Sequence, residues 1–174
     1  MKRWIGWLTV LALALFAGTA LAQDNAAAGG GAGLVTGLLH IHAFVRWISV
    51  AVAAALLVKL GMGLVQGGPY DALASRLMTV FSRVLGVQWL IGIIFALALY
   101  VIPIGLGNTP RHVWEHLIVM TVVVGLSEMH RRFKNAPDGI RYRNTLLLVI
   151  VCLVLVFIGV QLLPQGWRLF PVTA

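Results

Sequence analysis

From Val35 onwards the chain alternates four long apolar stretches with short polar breaks. The stretches run approximately from Val35 to Lys59, or on to Val65, then from Val80 to Ile104, Val113 to Glu128 and Thr145 to Leu163. Each is near the ~20 residues that a helix needs to cross hydrocarbon. Gly67-Gly68-Pro69 separates the first two, Gly105 to Pro110 the second and third, and the polar segment Arg131 to Asn144 the last two. Short connections favour antiparallel neighbours, so the pattern predicts an all-α, up-down-up-down four-helix bundle in a membrane, occupying residues 35–174. No internal repeat is evident.

The segment before Val35 has a different pattern. Lys2 and Arg3 form a charged start, Ile5 to about Phe16 a short apolar core, and Ala20-Leu21-Ala22 a small-residue cleavage site. These are the parts of a secretory signal peptide, expected at 1–22, and the apolar core is shorter than a spanning helix needs. Residues 23–34, with Ala26-Ala27-Ala28-Gly29-Gly30-Gly31, lack periodicity and predict a flexible leader.

Composition narrows the class. Hydrophobic residues make up 60% of the 174 and charged residues 10%, and the mean hydropathy is +0.96. This excludes a soluble domain with a polar surface. The net charge of +8 does not indicate a nucleic-acid partner, because Lys and Arg gather at the ends of apolar runs rather than along one polar face. Cys152 is the single cysteine, which rules out an intrachain disulfide framework and any cysteine cluster for zinc or iron–sulfur.

Basic residues also set an orientation. Lys59, Arg76, Arg83, Arg131, Arg132, Lys134, Arg141 and Arg143 would fall on one side, and chiefly Arg111 and Arg168 on the other. The first side is therefore expected to be cytoplasmic, in a bacterial inner membrane, with both mature termini periplasmic. His40, His42, Arg46, His112, Glu115 and His116 then share the outer third, and His130 sits at the inner edge.

Ionisable residues at that depth are candidates for chemistry. His40 and His42 point about 200° apart on a regular helix, whereas His42 and Arg46 share a face, as do His112 and His116. Two neutral imidazoles from facing helices suit a b-type haem, so His42 and His116 are candidate iron ligands, with Arg46 or Arg111 near the propionates and Trp47, Trp89 and Trp114 as walls. Arg46 and Glu115 form an expected pair of opposite charges, either fixing helix register or, through Glu115, taking a proton from a quinol or adjusting the haem potential. Gln88 is a candidate for a bond to a neighbouring helix or for a quinone pocket. His40 and His112 fit interfacial capping roles. A rival reading gathers His40, His42, His112 and His116 into a copper or zinc site, and another makes the chain a non-catalytic subunit of a respiratory or photosynthetic complex.

The segments His42-Ala43-Phe44-Val45-Arg46-Trp47, Val87-Gln88-Trp89-Leu90-Ile91-Gly92, Val113-Trp114-Glu115-His116 and Met129-His130-Arg131-Arg132 resemble the small four-helix membrane cytochrome b, or cytochrome b561-like, family. The resemblance spans roughly Leu39 to Arg132. It departs from the family pattern at Ala43, where a small hydroxyl residue is usual, and at the additional His40. It implies a haem b protein in electron transfer between a quinol or partner cytochrome and a periplasmic acceptor.

Overall fold

The computed structural model describes residues 30–101, 110–164 and 166–167. The expected signal peptide, the leader up to residue 29 and Arg168 lie outside the described residues. Four helices form: α1 (Gly30–Gln66), α2 (Ala72–Val101), α3 (Arg111–Glu128), which tightens into a 3-10 turn at Met129–Phe133, and α4 (Asp138–Gln161). Each helix packs against its neighbours in sequence, and α4 closes back onto α1. The result is an all-α four-helix bundle.

Among the described residues, three helical segments are long and apolar enough to cross a membrane: Gly33–Gln66, Ala72–Tyr100 and Asp138–Gln161. In each, only 28% of the most apolar window is buried inside the protein. A helix that is apolar on every side and packed on one alone needs lipid on the rest, so the protein associates with a bilayer. The expectation of four equivalent spans is narrowed at α3, which has 18 residues and carries Arg111, Glu115 and Glu128.

Helices run past the apolar stretches where polar residues cap them. α2 begins at Ala72 rather than Val80 because Asp71 caps it: Asp71 Oδ1 accepts from the Ala74 backbone N–H at 2.8 Å, and Lys59 of α1 meets the same carboxylate at 2.5 Å. Gly67 has a φ of +64°, and its missing side chain allows the chain to reverse there. α4 begins at Asp138, directly after Pro137, whose carbonyl accepts from Arg141 N–H. Arg141 and Arg143 are therefore helical residues instead of loop residues.

Packing is tight at the end carrying this turn. Leu56 and Leu60 of α1, Met78 and Phe81 of α2, Val123 of α3 and Val149 of α4 are fully buried together. Tyr142 anchors the same end. Its ring lies where a side chain on Gly63 would have to be, and its hydroxyl donates to the Pro69 carbonyl at 3.1 Å. Buried hydroxyls find carbonyls as well: Ser82 Oγ donates to Ser127 O across α2 and α3 at 3.0 Å, and Ser127 Oγ donates to Val124 O. Such pairing is required where water cannot serve as partner.

Gly63→Ala should lower the midpoint of thermal unfolding, followed by circular dichroism in detergent, at a cost of about 1–3 kcal/mol from forced displacement of Tyr142. Gly61→Ala, where an added Cβ meets nothing within 4 Å, should leave the midpoint unchanged or raised. Equal midpoints for the two variants would show that the Gly63–Tyr142 contact does not hold this end together.

The Asp71 cap also makes a pH prediction. The Ala74 N–H and the neighbouring Lys59 ammonium hold the Asp71 carboxyl below the usual carboxylate range. The resulting stabilisation is present above the ordinary aspartate value of about 3.9 and is lost as pH falls through the depressed value. Thermal stability of Asp71→Asn should thus fall less than that of the wild type on acidification below about pH 4.

Candidate ligand-binding site

At the opposite end the helices part around a chamber of about 510 Å³. Its walls are chiefly apolar, with Phe95 and Leu99 from α2, Met120 from α3 and Val156 from α4, and its polar groups include Arg46, Gln88, Trp167 and the histidines His42, His112 and His116. The volume lies in the range of small-molecule sites, which are commonly apolar with a few placed polar groups.

Two hydrogen bonds to main-chain carbonyls set the polar groups in place. Gln88 Nε2 donates to the His42 carbonyl at 2.9 Å, joining α2 to α1. His116 Nδ1 donates to the Gly159 carbonyl at 2.7 Å, joining α3 to α4. Since a carbonyl only accepts, the first bond orients the Gln88 amide, and the second makes Nδ1 the protonated nitrogen of a neutral His116. Gln88 Oε1 and His42 Nδ1 are buried with no hydrogen-bond partner. Glycine permits the close approach of the His42 ring at Gly92 and of the Met120 side chain at Gly159. A Cβ on Gly92 would sit 3.2 Å from His42 Cε1, and one on Gly159 would lie 3.6 Å from His116 Nδ1 and would collide with Met120.

The segment after α4 lies beside the chamber. Gly166, at φ +52°, presents its carbonyl to Arg46 Nη1 at 3.4 Å, and the Arg46 guanidinium lies 5.5 Å from the Trp47 ring and 5.9 Å from that of Trp167. Trp167 stacks on Phe157 with centroids 6.1 Å apart. On the α2–α3 side, Trp89 Nε1 donates to Thr121 Oγ1 at 2.9 Å.

Of the residues singled out in the sequence, the fold brings His42 and His116 together, edge to face with ring centroids 6.4 Å apart, and adds Arg46, Gln88, Trp89 and His112 to the same chamber. His40 is exposed, its Nδ1 bonded to the Thr36 carbonyl of its own helix. Glu115 pairs with Arg111 at 2.7 Å, a surface i,i+4 pair, while Arg46 donates to Gly166 in place of the expected Arg46–Glu115 pairing. Trp114 is exposed. His130 Nδ1 meets the Ser127 carbonyl at 2.7 Å and closes the end of α3. Gly159 and Trp167 escaped the sequence reading, and Gly92 entered it only as the end of the Val87–Gly92 segment. The Pro164-Gln165-Gly166-Trp167 run was the available signal for Trp167, since Pro and Gly mark a chain reversal.

The metal readings are corrected by this geometry. Among the described residues no group of three or more His, Cys, Asp or Glu side chains could hold a metal ion. The four-histidine copper or zinc site fails because His40 faces away on its own helix. The haem b assignment, with His42 and His116 as iron ligands, Arg46 and Arg111 beside propionates and Glu115 adjusting the potential, falls with the same finding. The electron-transfer function that depended on it is withdrawn. The fold supplies a pair of contacting imidazoles, one of them tied to a carbonyl, together with the Arg111–Glu115 pair on the surface.

Nitrogen NMR of histidine-labelled protein, with His116 assigned by its loss in His116→Gln, should show the neutral His116 ring protonated at Nδ1. A neutral ring protonated at Nε2 would contradict the bond to Gly159.

No protein family, no curated protein and no solved structure matches the chain. The resemblance to the cytochrome b561-like family is accordingly not upheld, by the comparisons or by the ligand geometry.

Proposed function

We propose that the protein binds a quinone-class ligand, an oxygen-substituted ring on a long apolar tail, in the chamber between its helices. The observation carrying this reading is the gathering of Gln88, His42 and His116 within a largely apolar cavity of about 510 Å³. A quinone-class ring offers oxygens to polar groups and a flat apolar face to the walls, and such lipids partition into the bilayer that surrounds the helices. His42, His116, Gln88 and Arg46 are the contacting residues in this proposal. The exposed Arg111–Glu115 pair stands outside the contact set.

The same reading has an orientation. Lys59, Arg76, Arg83, Arg131, Arg132, Lys134, Arg141 and Arg143 gather at the tightly packed end, and this excess of basic residues supports reading that end as the cytoplasmic one in a bacterial inner membrane. The chamber then opens towards the periplasm, on the side of both mature termini.

Titration of the full chain in detergent with decylubiquinone, read by quenching of tryptophan fluorescence, should give saturable binding. His42→Leu and His116→Leu should each weaken it by about tenfold, as expected for loss of a buried polar contact. Unsaturable uptake that is equal in wild type and variants would overturn the proposal, as would saturable binding of palmitate with none of the quinone.

A further inference from the structure

We infer that the chamber discriminates between the oxidation states of its ligand, taking the hydroxyl-bearing quinol in preference to the quinone, with Gln88 as the principal discriminating residue. This rests on the quinone-class reading above and goes further, because it follows from which atoms of the site donate and which accept.

The roles are fixed by the two carbonyl bonds. Gln88 gives one of its two amide N–H groups to the His42 carbonyl, which fixes the amide so that Oε1, its acceptor, is buried without a partner. Reversing the amide would bring two acceptors face to face, so the orientation is set by chemistry. His116 spends Nδ1–H on the Gly159 carbonyl, which leaves Nε2 of the neutral ring as an acceptor. Trp167 Nε1, a donor only, is buried at the chamber without a partner. A site with a buried, partnerless acceptor at Gln88 Oε1 and a buried, partnerless donor at Trp167 Nε1 is completed by ligand oxygens that both give and take a hydrogen bond.

A quinol hydroxyl does both. A quinone carbonyl only accepts; it can satisfy Trp167 Nε1 but leaves Gln88 Oε1 buried and unpaired. Leaving a buried polar group unsatisfied is the costly side of hydrogen-bond energetics, and sites built to bond a hydroxyl reject ligands that lack it. The two ligand forms share tail, ring and volume, so the apolar walls cannot tell them apart and the discrimination belongs to the acceptors.

The test compares decylubiquinol with decylubiquinone, under anaerobic conditions, by calorimetric titration of the full chain in detergent. The quinol should bind at least about tenfold more tightly. In Gln88→Met, which has no acceptor oxygen of comparable strength, the ratio should fall to about one, chiefly through weaker quinol binding. Gln88→Glu, whose neutral carboxylic acid can donate its O–H to the His42 carbonyl and keep the other oxygen as acceptor, should retain the preference at a pH where that acid is protonated, and circular dichroism should show native helicity in both variants. If wild type binds both forms saturably and equally, the discrimination is refuted while the chamber remains a quinone-class site. Saturable binding of neither form would remove the underlying proposal too. A preference that persists unchanged in folded Gln88→Met would refute the assignment to Gln88. Should Gln88→Met fail to fold, the wild-type ratio still decides the preference and Gln88→Glu still decides whether an acceptor oxygen there sustains it.

Discussion

The open end of the bundle depends on side chains that surrender a hydrogen to a main-chain carbonyl on another helix. Gln88 gives one to His42 and His116 gives one to Gly159, so α1 is tied to α2 and α3 to α4. The His42 carbonyl lies within α1, where it can accept a second bond while the helical ladder persists, and the Gly159 carbonyl lies in the last turn of α4, where Leu163 N–H goes to Val160 and His116 supplies the donor. In surroundings without water these ties hold more than the helices: they also determine which atoms remain to face the chamber. Geometry and chemical character of the site therefore come from the same two contacts.

The opposite end uses a different device. There Tyr142 fills the notch left by Gly63, its hydroxyl reaches the Pro69 carbonyl, and Leu56, Leu60 and Met78 leave no room between the helices. The close-packed half gives the bundle its register; the other half can then part without the helices losing their places. Glycines take part in both halves with opposite results, since Gly63 admits a ring into the core, while Gly92 lets the His42 imidazole, and Gly159 the Met120 side chain, lie close along the chamber.

Much of this architecture was legible in the chain because membrane helices announce themselves by apolar length. The four helices and their order follow from the stretches and the turns between them. Their ends did not, because Asp71 and Pro137 start α2 and α4 among polar residues that hydropathy assigns to loops. The shared location of His42 and His116 followed from matched depth and helix periodicity, and depth alone also suggested the partnership of Arg46 with Glu115. It failed because depth leaves azimuth undetermined: Glu115 lies within reach of Arg111 on its own helix, and Arg46 reaches the segment after α4. Metal ligation was over-read for a related reason, since residue type says what a side chain can bind, while convergence of several such side chains is a property of the assembled fold. The direction of the Gln88 amide is likewise absent from sequence, being set by a carbonyl on another helix.

The helices are also unequal in height. α1, with 37 residues, is about 55 Å long, and α3, with 18 and its five-residue 3-10 continuation, about 37 Å. Both exceed a hydrocarbon core of about 30 Å, and α1 is the helix that has to tilt or overtop it by the wider margin. At the chamber end α1 runs for 12 residues before His42 and α3 for five before His116, and the two rings lie side by side. The wall around the chamber is therefore one-sided, about 10 Å lower along α3 than along α1.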